Sequence, residues 1–388
     1  MNCKIYHPNN IINCEIKLPS SKSISNRLLI IQSLCKWKFK INNLSNSTDT
    51  IYLYKALKNN KKQIDVGDAG TSFRFLIAYL SILEGEEFYL NGSKRLRERP
   101  IKQLIESLRS LGANIKNDNL YNFPIKITGK RLFGGKISIN GGVSSQFISS
   151  LLLIAPMLDN GLSIEIKGKV VSKPYINMTL KLMNNFGIKY SWDDNVINIK
   201  KQDYIPNDIF VESDWSACSF WFEIASLSND CNIKIKGLSK DSIQGDNRVL
   251  DLYKNLGVES KFYSDYLMLT KTKEVHPIKI IDFLNIPDLY LPIACTSFAK
   301  EKKINFTGLD TLKDKESNRI VNLSNELNNV KLKKEINTYK DHRIAMSFAP
   351  LCMIFGELKI NDINVVRKSY PNFWDDLVKA GFKISPLK

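Results

Sequence analysis

Histidine is scarce in this chain, its cysteines are unpaired, and it has no long apolar run; each shortage closes off a class of function. Three histidines, His7, His276 and His342, stand far apart in 388 residues, too few for a multi-histidine metal centre. Seven cysteines, Cys3, Cys14, Cys35, Cys218, Cys231, Cys295 and Cys352, are scattered without paired spacing. An odd, dispersed set predicts reduced thiols rather than a disulfide framework or a zinc site. Apolar stretches such as Leu151 to Pro156 fall far short of the roughly 18 residues that would cross a bilayer. Met1 to Asn10 lacks the apolar core of a signal peptide. The expectation is a cytoplasmic protein with no membrane span, no metal and no cofactor.

Positive charge is what the chain has in excess: 56 Lys and Arg against 39 Asp and Glu, a net +17. That excess suggests nucleic acid. Yet lysine is spread through every segment, as in Lys58-Asn59-Asn60-Lys61-Lys62, and no recognition motif accompanies it. Compositional drift on a solvated surface accounts for it, and no nucleic-acid partner is expected. The length exceeds one ordinary core, so two domains are the natural reading, and 43% apolar residues suit a globular chain.

Four segments place cations where a helix should begin. They are Ser20-Ser21-Lys22-Ser23-Ile24-Ser25-Asn26-Arg27, Asp68-Ala69-Gly70-Thr71-Ser72-Phe73-Arg74, Lys313-Asp314-Lys315-Glu316-Ser317-Asn318-Arg319 and Lys340-Asp341-His342-Arg343. A helix N-terminus already carries about half a positive charge, so first-turn cations are unfavourable there. An anion seated on the exposed N–H groups reverses the sign. Four such segments predict a site for several anionic groups at once.

A second pattern repeats. A helix ends in a Leu-x-x-Leu-Gly-like turn before an alternating strand at Leu108 to Gly112, Leu182 to Gly187, Leu252 to Gly257 and Leu377 to Gly381. Weaker copies at Ala56 to Asn60 and Glu326 to Val330 put Asn where Gly would sit. Gly or Asn suits a left-handed helix C-cap. Six units of roughly 50 to 75 residues would account for the chain. Strand alternation is clear in Ile12 to Leu18, Ile164 to Lys167 and Ile233 to Lys236. Pro100 and Pro174 are expected as first helical residues, and Asp214 and Asp246 as caps. The cluster Trp215, Phe220, Trp221, Phe222 reads as core. The fold class is α/β or α+β, with six similar modules split three and three.

Together the segments resemble the enolpyruvyl transferases, and within them the EPSP synthases, from about Leu18 to Trp374. The motifs are Lys22-Ser23-x-Ser25-Asn26-Arg27, Ala69-Gly70-Thr71-x-x-Arg74, Arg95-x-Arg97-Glu98-Arg99-Pro100-Ile101 and Ser144-Ser145-Gln146-Phe147. Val171-Ser172-Lys173-Pro174-Tyr175-Ile176, Ile286-Pro287-Asp288, Lys315-Glu316-x-x-Arg319, Asp341-His342-Arg343-x-Ala345-Met346 and Lys368-x-x-Pro371 follow in order. The resemblance implies two domains around a central cleft, each with three βαβαββ-type units. It places residues 20–211 in a domain with most of the shikimate 3-phosphate site. Residues 1–19 and 212–388 then form a domain with the catalytic carboxylates and part of the phosphoenolpyruvate site, and the chain crosses near Pro19 and Glu212.

The implied reaction carries the enolpyruvyl group of phosphoenolpyruvate to the 5-hydroxyl of shikimate 3-phosphate, by addition and elimination through a tetrahedral intermediate, on the shikimate route to chorismate and aromatic amino acids. By resemblance, Lys22, Ser23, Arg27, Ser144, Ser145, Gln146, Ser172, Asp288, Thr311 and Lys315 hold shikimate 3-phosphate. Lys22, Gly70, Arg95, Gln146, Arg319, Arg343 and Lys368 hold phosphoenolpyruvate. Asp288 accepts the hydroxyl proton, and Glu316, helped by Lys22, protonates the methylene carbon. His342 stays a candidate only. The two substrates bring roughly −5 to −6 of charge, which seven cations can balance. Each substrate is a small molecule, and the protein is expected to act as a monomer.

The chain departs from the family pattern at Asp68, Thr311, Ser317 and Asn318, which bears on substrate affinity. A sister family, the UDP-N-acetylglucosamine enolpyruvyl transferases, is the alternative. It uses a cysteine in the loop that here runs Ser93 to Arg99 without one, and it begins Lys-Asn rather than Lys22-Ser23. An RNA-binding or RNA-end-processing module is the alternative from a different class, and salt-sensitive RNA binding would mark it.

Overall fold

The helix-end glycines turn the chain as their sequence context predicts. Gly112, Gly187, Gly257 and Gly381 have φ of 98°, 84°, 89° and 99°, in the left-handed region that favours glycine. The weaker copies differ. Asn329 lies inside the helix Arg319–Leu332, and the left-handed turn falls at Lys334, φ 52°. Asn59 caps Thr48–Lys58 in an extended conformation, and Asn60 lies outside the described residues. The computed structural model describes residues 1–59, 61–116 and 123–387.

Four copies of one sheet follow from the repeat. Their strand orders are Gln63–Asp65, Glu87–Asn91, Ile125–Thr128, Asn114–Lys116, and Gly135–Asn140, Leu162–Lys167, Val196–Ile199, Tyr190–Asp193. The others are Ile11–Lys17, Asp230–Lys236, Tyr266–Lys271, Val258–Phe262, and Glu335–Ile336, Leu358–Ile360, Asn2–Tyr6, Lys383–Leu387. In each sheet the first two strands are parallel and the other pairings antiparallel. A parallel pair needs a crossover, which a helix supplies; the antiparallel pair needs only a turn. Two further modules are reduced, among the described residues, to a parallel pair: Ile41–Asn42 with Ile209–Phe210, and Ile280–Asp282 with Asn305–Thr307.

The chain divides into two compact units, Lys22–Val211 (the first unit) and Met1–Ser21 with Glu212–Lys388 (the second unit). Each carries two full sheets and one reduced pair. Strands bury alternate residues, as in Leu162–Lys167, where Leu162, Ile164 and Ile166 are buried and Glu165 and Lys167 exposed.

Three helices form the middle of each unit. In the first unit Lys22–Leu34, Gly70–Ser81 and Ser145–Ile154 pack on one another; in the second, Trp215–Leu227, Tyr290–Ala299 and His342–Phe348 do so. All six are buried along almost their whole length. That suits apolar runs too continuous for an amphipathic surface helix. Trp215, Phe220, Trp221 and Phe222 are core side chains.

Caps decide where the helices start. Asp214 caps Trp215–Leu227 by accepting from Ala217 N at 2.9 Å. Asp246 is no cap: it sits inside a 3₁₀ turn, Gly245–Arg248, with its carboxylate buried. Pro174 is the second residue of Lys173–Asn185. Pro100 lies outside Lys102–Ser110, because Ile101, with φ −142° and ψ −12°, is the residue before its first turn. No helix among the described residues is long and apolar enough to cross a membrane.

Candidate active site

In the first unit, cations and hydroxyls meet where helix N-termini converge. Lys22 is the first residue of its helix; its ammonium lies 3.7 Å from the buried carboxylate of Asp49, in the first turn of Thr48–Lys58. Ser72, in the first turn of Gly70–Ser81, donates to the Asp49 carbonyl at 2.8 Å. Gln146, in the first turn of Ser145–Ile154, donates its side-chain amide to Thr71 Oγ1 at 3.0 Å. Four N-terminal turns are thus stitched together, each adding positive end charge. The Gln146 side-chain carbonyl is buried without a partner among the described residues. Such an acceptor is costly to leave unmet, and a ligand donor would satisfy it.

Arg27 makes the same point with a cation. It is 2% exposed. Its guanidinium donates to Thr179 Oγ1 at 2.7 Å, Ser23 O at 2.8 Å, Tyr175 O at 3.2 Å and Ser149 Oγ at 3.4 Å. Every one of these partners is neutral, so burial brings its pKa down to about 10. Ser144 caps Ser145–Ile154, accepting from Gln146 N at 3.3 Å, and Ser145 is buried behind it. Ser172 precedes Lys173–Asn185 in a left-handed conformation, φ 55°, and its hydroxyl makes no cap bond. That strain in a non-glycine residue marks a constrained site.

Gly70 opens its helix against arginine. A Cβ there would lie 2.4 Å from a terminal guanidinium nitrogen of Arg99 and 2.9 Å from one of Arg74. Arg99 is buried. Arg95, four residues earlier, is 39% exposed and pairs with Glu98 at 3.2 Å on its own short helix, Lys94–Glu98. Arg99 and Arg74 are therefore the cations beside Gly70, and the motifs gave neither a role. Arg95 and Arg99 lie in one basic run, and spacing alone does not say which end is buried. Asp68 accepts a hydrogen bond from the Ser93 hydroxyl.

The second unit gathers carboxylates around one guanidinium. Arg319, the first residue of its helix, is 1% exposed. It donates to Asp341 at 2.9 and 3.3 Å, to Asp288 at 3.0 Å and to Glu316 at 2.9 Å. Asp341 also caps His342–Phe348 through Arg343 N at 3.0 Å and accepts from Ser317 at 3.2 Å. Arg343 meets Asp288 at 3.0 Å, and Lys368 lies 3.5 Å from Glu316. Asp214, Asp288 and Asp341 each stand at or just before the start of one of the three central helices, where the dipole favours a carboxylate.

Burial would raise the pKa of Asp288, but the charges of Arg343, Lys315 and Arg319 outweigh it and hold the carboxyl well below the usual range. Arg319 moves the opposite way: burial disfavours its charge, and Asp341, Glu316 and Asp288 hold the proton on far above the ordinary range. Lys315 follows the 3₁₀ turn Asp310–Asp314, which carries the half-buried Thr311. His342 is buried with Nδ1 3.7 Å from Asp341. Asn318, one of the departures, caps Arg319–Leu332 by accepting from Val321 N. Among the described residues, no group of three or more His, Cys, Asp or Glu is arranged to hold a metal ion.

The structure thus brings Lys22, Gly70 and Gln146 together with Arg99 in one unit, and Asp288, Glu316, Arg319, Arg343 and Lys368 in the other. Comparison with known proteins points the same way. The family model "EPSP synthase (3-phosphoshikimate 1-carboxyvinyltransferase)" matches residues 51–377. A 3-phosphoshikimate 1-carboxyvinyltransferase of Bacteroides fragilis is 41% identical over 396 residues, covering 96% of each chain. One from Buchnera aphidicola is 33% identical over 419 residues, covering 95% of this chain and 94% of its own. The solved EPSP synthase of Acinetobacter baumannii superposes with a TM-score of 0.77 at 18% identity, over 99% of this chain and 100% of its own, a likeness of fold. By its full-length identity to named relatives and its match to the family model, the chain belongs to the EPSP synthases, the 3-phosphoshikimate 1-carboxyvinyltransferases.

Proposed function

We propose that the protein transfers the enolpyruvyl group of phosphoenolpyruvate to the 5-hydroxyl of shikimate 3-phosphate, releasing phosphate. The observation that carries the reading is the pairing of Asp288 and Glu316, two carboxylates of the required roles, on the single guanidinium of Arg319.

Shikimate 3-phosphate is held by Lys22, Ser23, Arg27, Ser144, Ser145, Gln146 and Ser172 of the first unit and by Asp288, Thr311 and Lys315 of the second. Arg27 suits a carboxylate or phosphate, since its present partners are all neutral. Phosphoenolpyruvate is held by Lys22, Gly70, Arg95 and Gln146 and by Arg319, Arg343 and Lys368. Arg99, whose guanidinium lies against Gly70, is a further cation beside them.

Asp288 takes the hydroxyl proton as the oxygen bonds to the enol carbon. Glu316, with Lys22, gives a proton to the methylene carbon. The tetrahedral adduct then loses phosphate and a methyl proton, restoring the double bond. Arg343, Lys315 and Arg319 stabilise the charge of Asp288 and so weaken it as a base. Substrate anions that recruit those same cations withdraw that stabilisation, so its proton affinity rises only when the site is loaded.

The protein works in the cytoplasm as a single chain. Seven unpaired cysteines, five of them buried, fit a reducing compartment. The test is phosphate release by the purified protein, expected only with both substrates present. Equal turnover with UDP-N-acetylglucosamine as acceptor would refute the assignment.

A further inference from the structure

Gln244 is a buried amide of the second unit that the proposed chemistry leaves unused. The chain passes between the units at Ser21–Lys22 and at Val211–Glu212. The segments beside those two points lie against each other. Ser20 and Ser213 form an isolated antiparallel bridge, Ser21 N donates to Glu212 O at 2.8 Å, and Asp214 N donates to Pro19 O at 2.9 Å. A two-stranded contact this short is marginal by itself. Gln244 fastens it. Its Oε1 accepts from the Ser21 hydroxyl at 3.0 Å and from Trp215 N at 3.1 Å, and its Nε2 donates to Ser213 O at 2.8 Å. One oxygen thus serves both Ser21, the residue before Lys22, and the first residue of the helix Trp215–Leu227.

The backbone fixes which way this amide points. Trp215 N can only donate and Ser213 O can only accept, so a flip would set donor against donor and acceptor against acceptor. The Ser21 hydroxyl is then the donor to Oε1. Gln244 is itself held from behind: its N–H donates to Ser242 Oγ at 3.0 Å, and the Ser242 hydroxyl donates to Glu212 Oε1 at 2.6 Å. With the bond from Ser21 N to Glu212 O, a ring of hydrogen bonds closes through Ser21, Gln244, Ser242 and Glu212, joining residues 223 apart in sequence. Ser21 and Ser213 are buried, where bulk water does not replace a lost bond. Lys22 comes next in the chain, and a backbone shift at Ser21 passes to it through one planar peptide.

We propose that Gln244 is a positioning residue for Lys22: by fixing Ser21 to the segment at Glu212–Asp214, it sets where the Lys22 ammonium meets the two substrates. The inference rests on Lys22 holding both substrates in the proposed reaction. Gln244 acts through Ser21 and the start of the Lys22 helix, not by contact with substrate. A misplacement of about 1 Å at a substrate-holding group can cost about 10²-fold in rate, so a loosened Ser21 is read in the kinetics.

The test is steady-state phosphate release by wild type, Ser21→Ala, Gln244→Met and the double variant, each substrate varied in turn, beside their thermal unfolding. Ser21→Ala removes only the hydroxyl that Oε1 accepts from. It should raise both KM values about three- to tenfold, with a melting temperature within about 4 °C of wild type. Gln244→Met keeps the length of the side chain and removes all three of its bonds, so kcat/KM should fall about 10- to 100-fold. Because Gln244 acts through Ser21, adding Ser21→Ala to Gln244→Met should change KM by less than about twofold. Wild-type KM values in Ser21→Ala, or effects that multiply in the double variant, overturn the role. A lowered melting temperature with kinetic constants unchanged, the mark of a purely structural amide, overturns it too. Should Gln244→Met fail to fold, Ser21→Ala decides alone. A wild type that releases no phosphate from the two substrates refutes the reading of the reaction and this role with it; full wild-type turnover with unchanged KM in the variants refutes this role alone.

Discussion

Arg319→Met is the most demanding test of how the second unit is built. The substitution keeps an unbranched, apolar stem and removes one buried guanidinium. Four hydrogen bonds to three carboxylates go with it, two to Asp341, one to Asp288 and one to Glu316. Asp341 has no exposed surface at all, so it has no water to fall back on. Breaking a buried ion pair from one side costs about 3–5 kcal/mol, and a cation shared by three carboxylates belongs at the upper end. The sign with pH follows. In the wild type Asp288 is held well below its ordinary pKa, so its stabilisation is present above the unfolded value and is lost only in strong acid. Urea unfolding near pH 8 reads the penalty, taking the first transition because two units need not unfold together. Arg319→Lys retains the charge without the fork, so an intermediate loss is expected. A penalty below about 1 kcal/mol near pH 8 would refute the hub argument.

Asp288→Asn and Glu316→Gln should each lower kcat by about 10²- to 10⁴-fold while shikimate 3-phosphate still binds. Glu316→Gln should also slow deuterium uptake into the methylene of phosphoenolpyruvate; exchange at the wild-type rate would move the acid role elsewhere. Gly70→Ala must displace Arg99, and should raise KM for phosphoenolpyruvate about tenfold, as should Arg99→Lys and Arg95→Ala. An unchanged KM in Arg95→Ala would take Arg95 out of the site. Glu223 has no exposed surface and neither carboxyl oxygen has a partner among the described residues, so burial pushes its pKa well above the ordinary value. A raised carboxyl pKa stabilises fully below the unfolded value, about 4.3, and that contribution is lost as pH rises toward the folded one. Glu223→Gln should therefore match the wild-type melting temperature near pH 5 and exceed it near pH 8; a gap independent of pH would show that Glu223 is not carrying a proton.

Much of the local structure was legible in the residues, because it rests on short-range preferences. Glycine takes positive φ at little cost, so Gly112, Gly187, Gly257 and Gly381 each announced a helix end. Lys22, Arg319 and His342-Arg343 open helices as read, and Asn318 and Asp341 cap the last two. The order of motifs carried the family. Long-range choices stayed hidden. Asn329 was as good a turn residue as any, yet its helix packs on and runs to Leu332. Arg95 and Arg99 are one helical turn apart in a basic run; only tertiary packing turned Arg99 onto Gly70 and left Arg95 half-exposed beside Glu98. Asp246 had the spacing of a cap and became a buried acid. Asp341 could be read as a cap, but its hold on Arg319 spans 22 residues of sequence. Backbone preference depends on a residue and its immediate neighbours, so the sequence by itself decides it. Which charge is buried against which depends on the solvent that packing removes, and only the folded chain determines that.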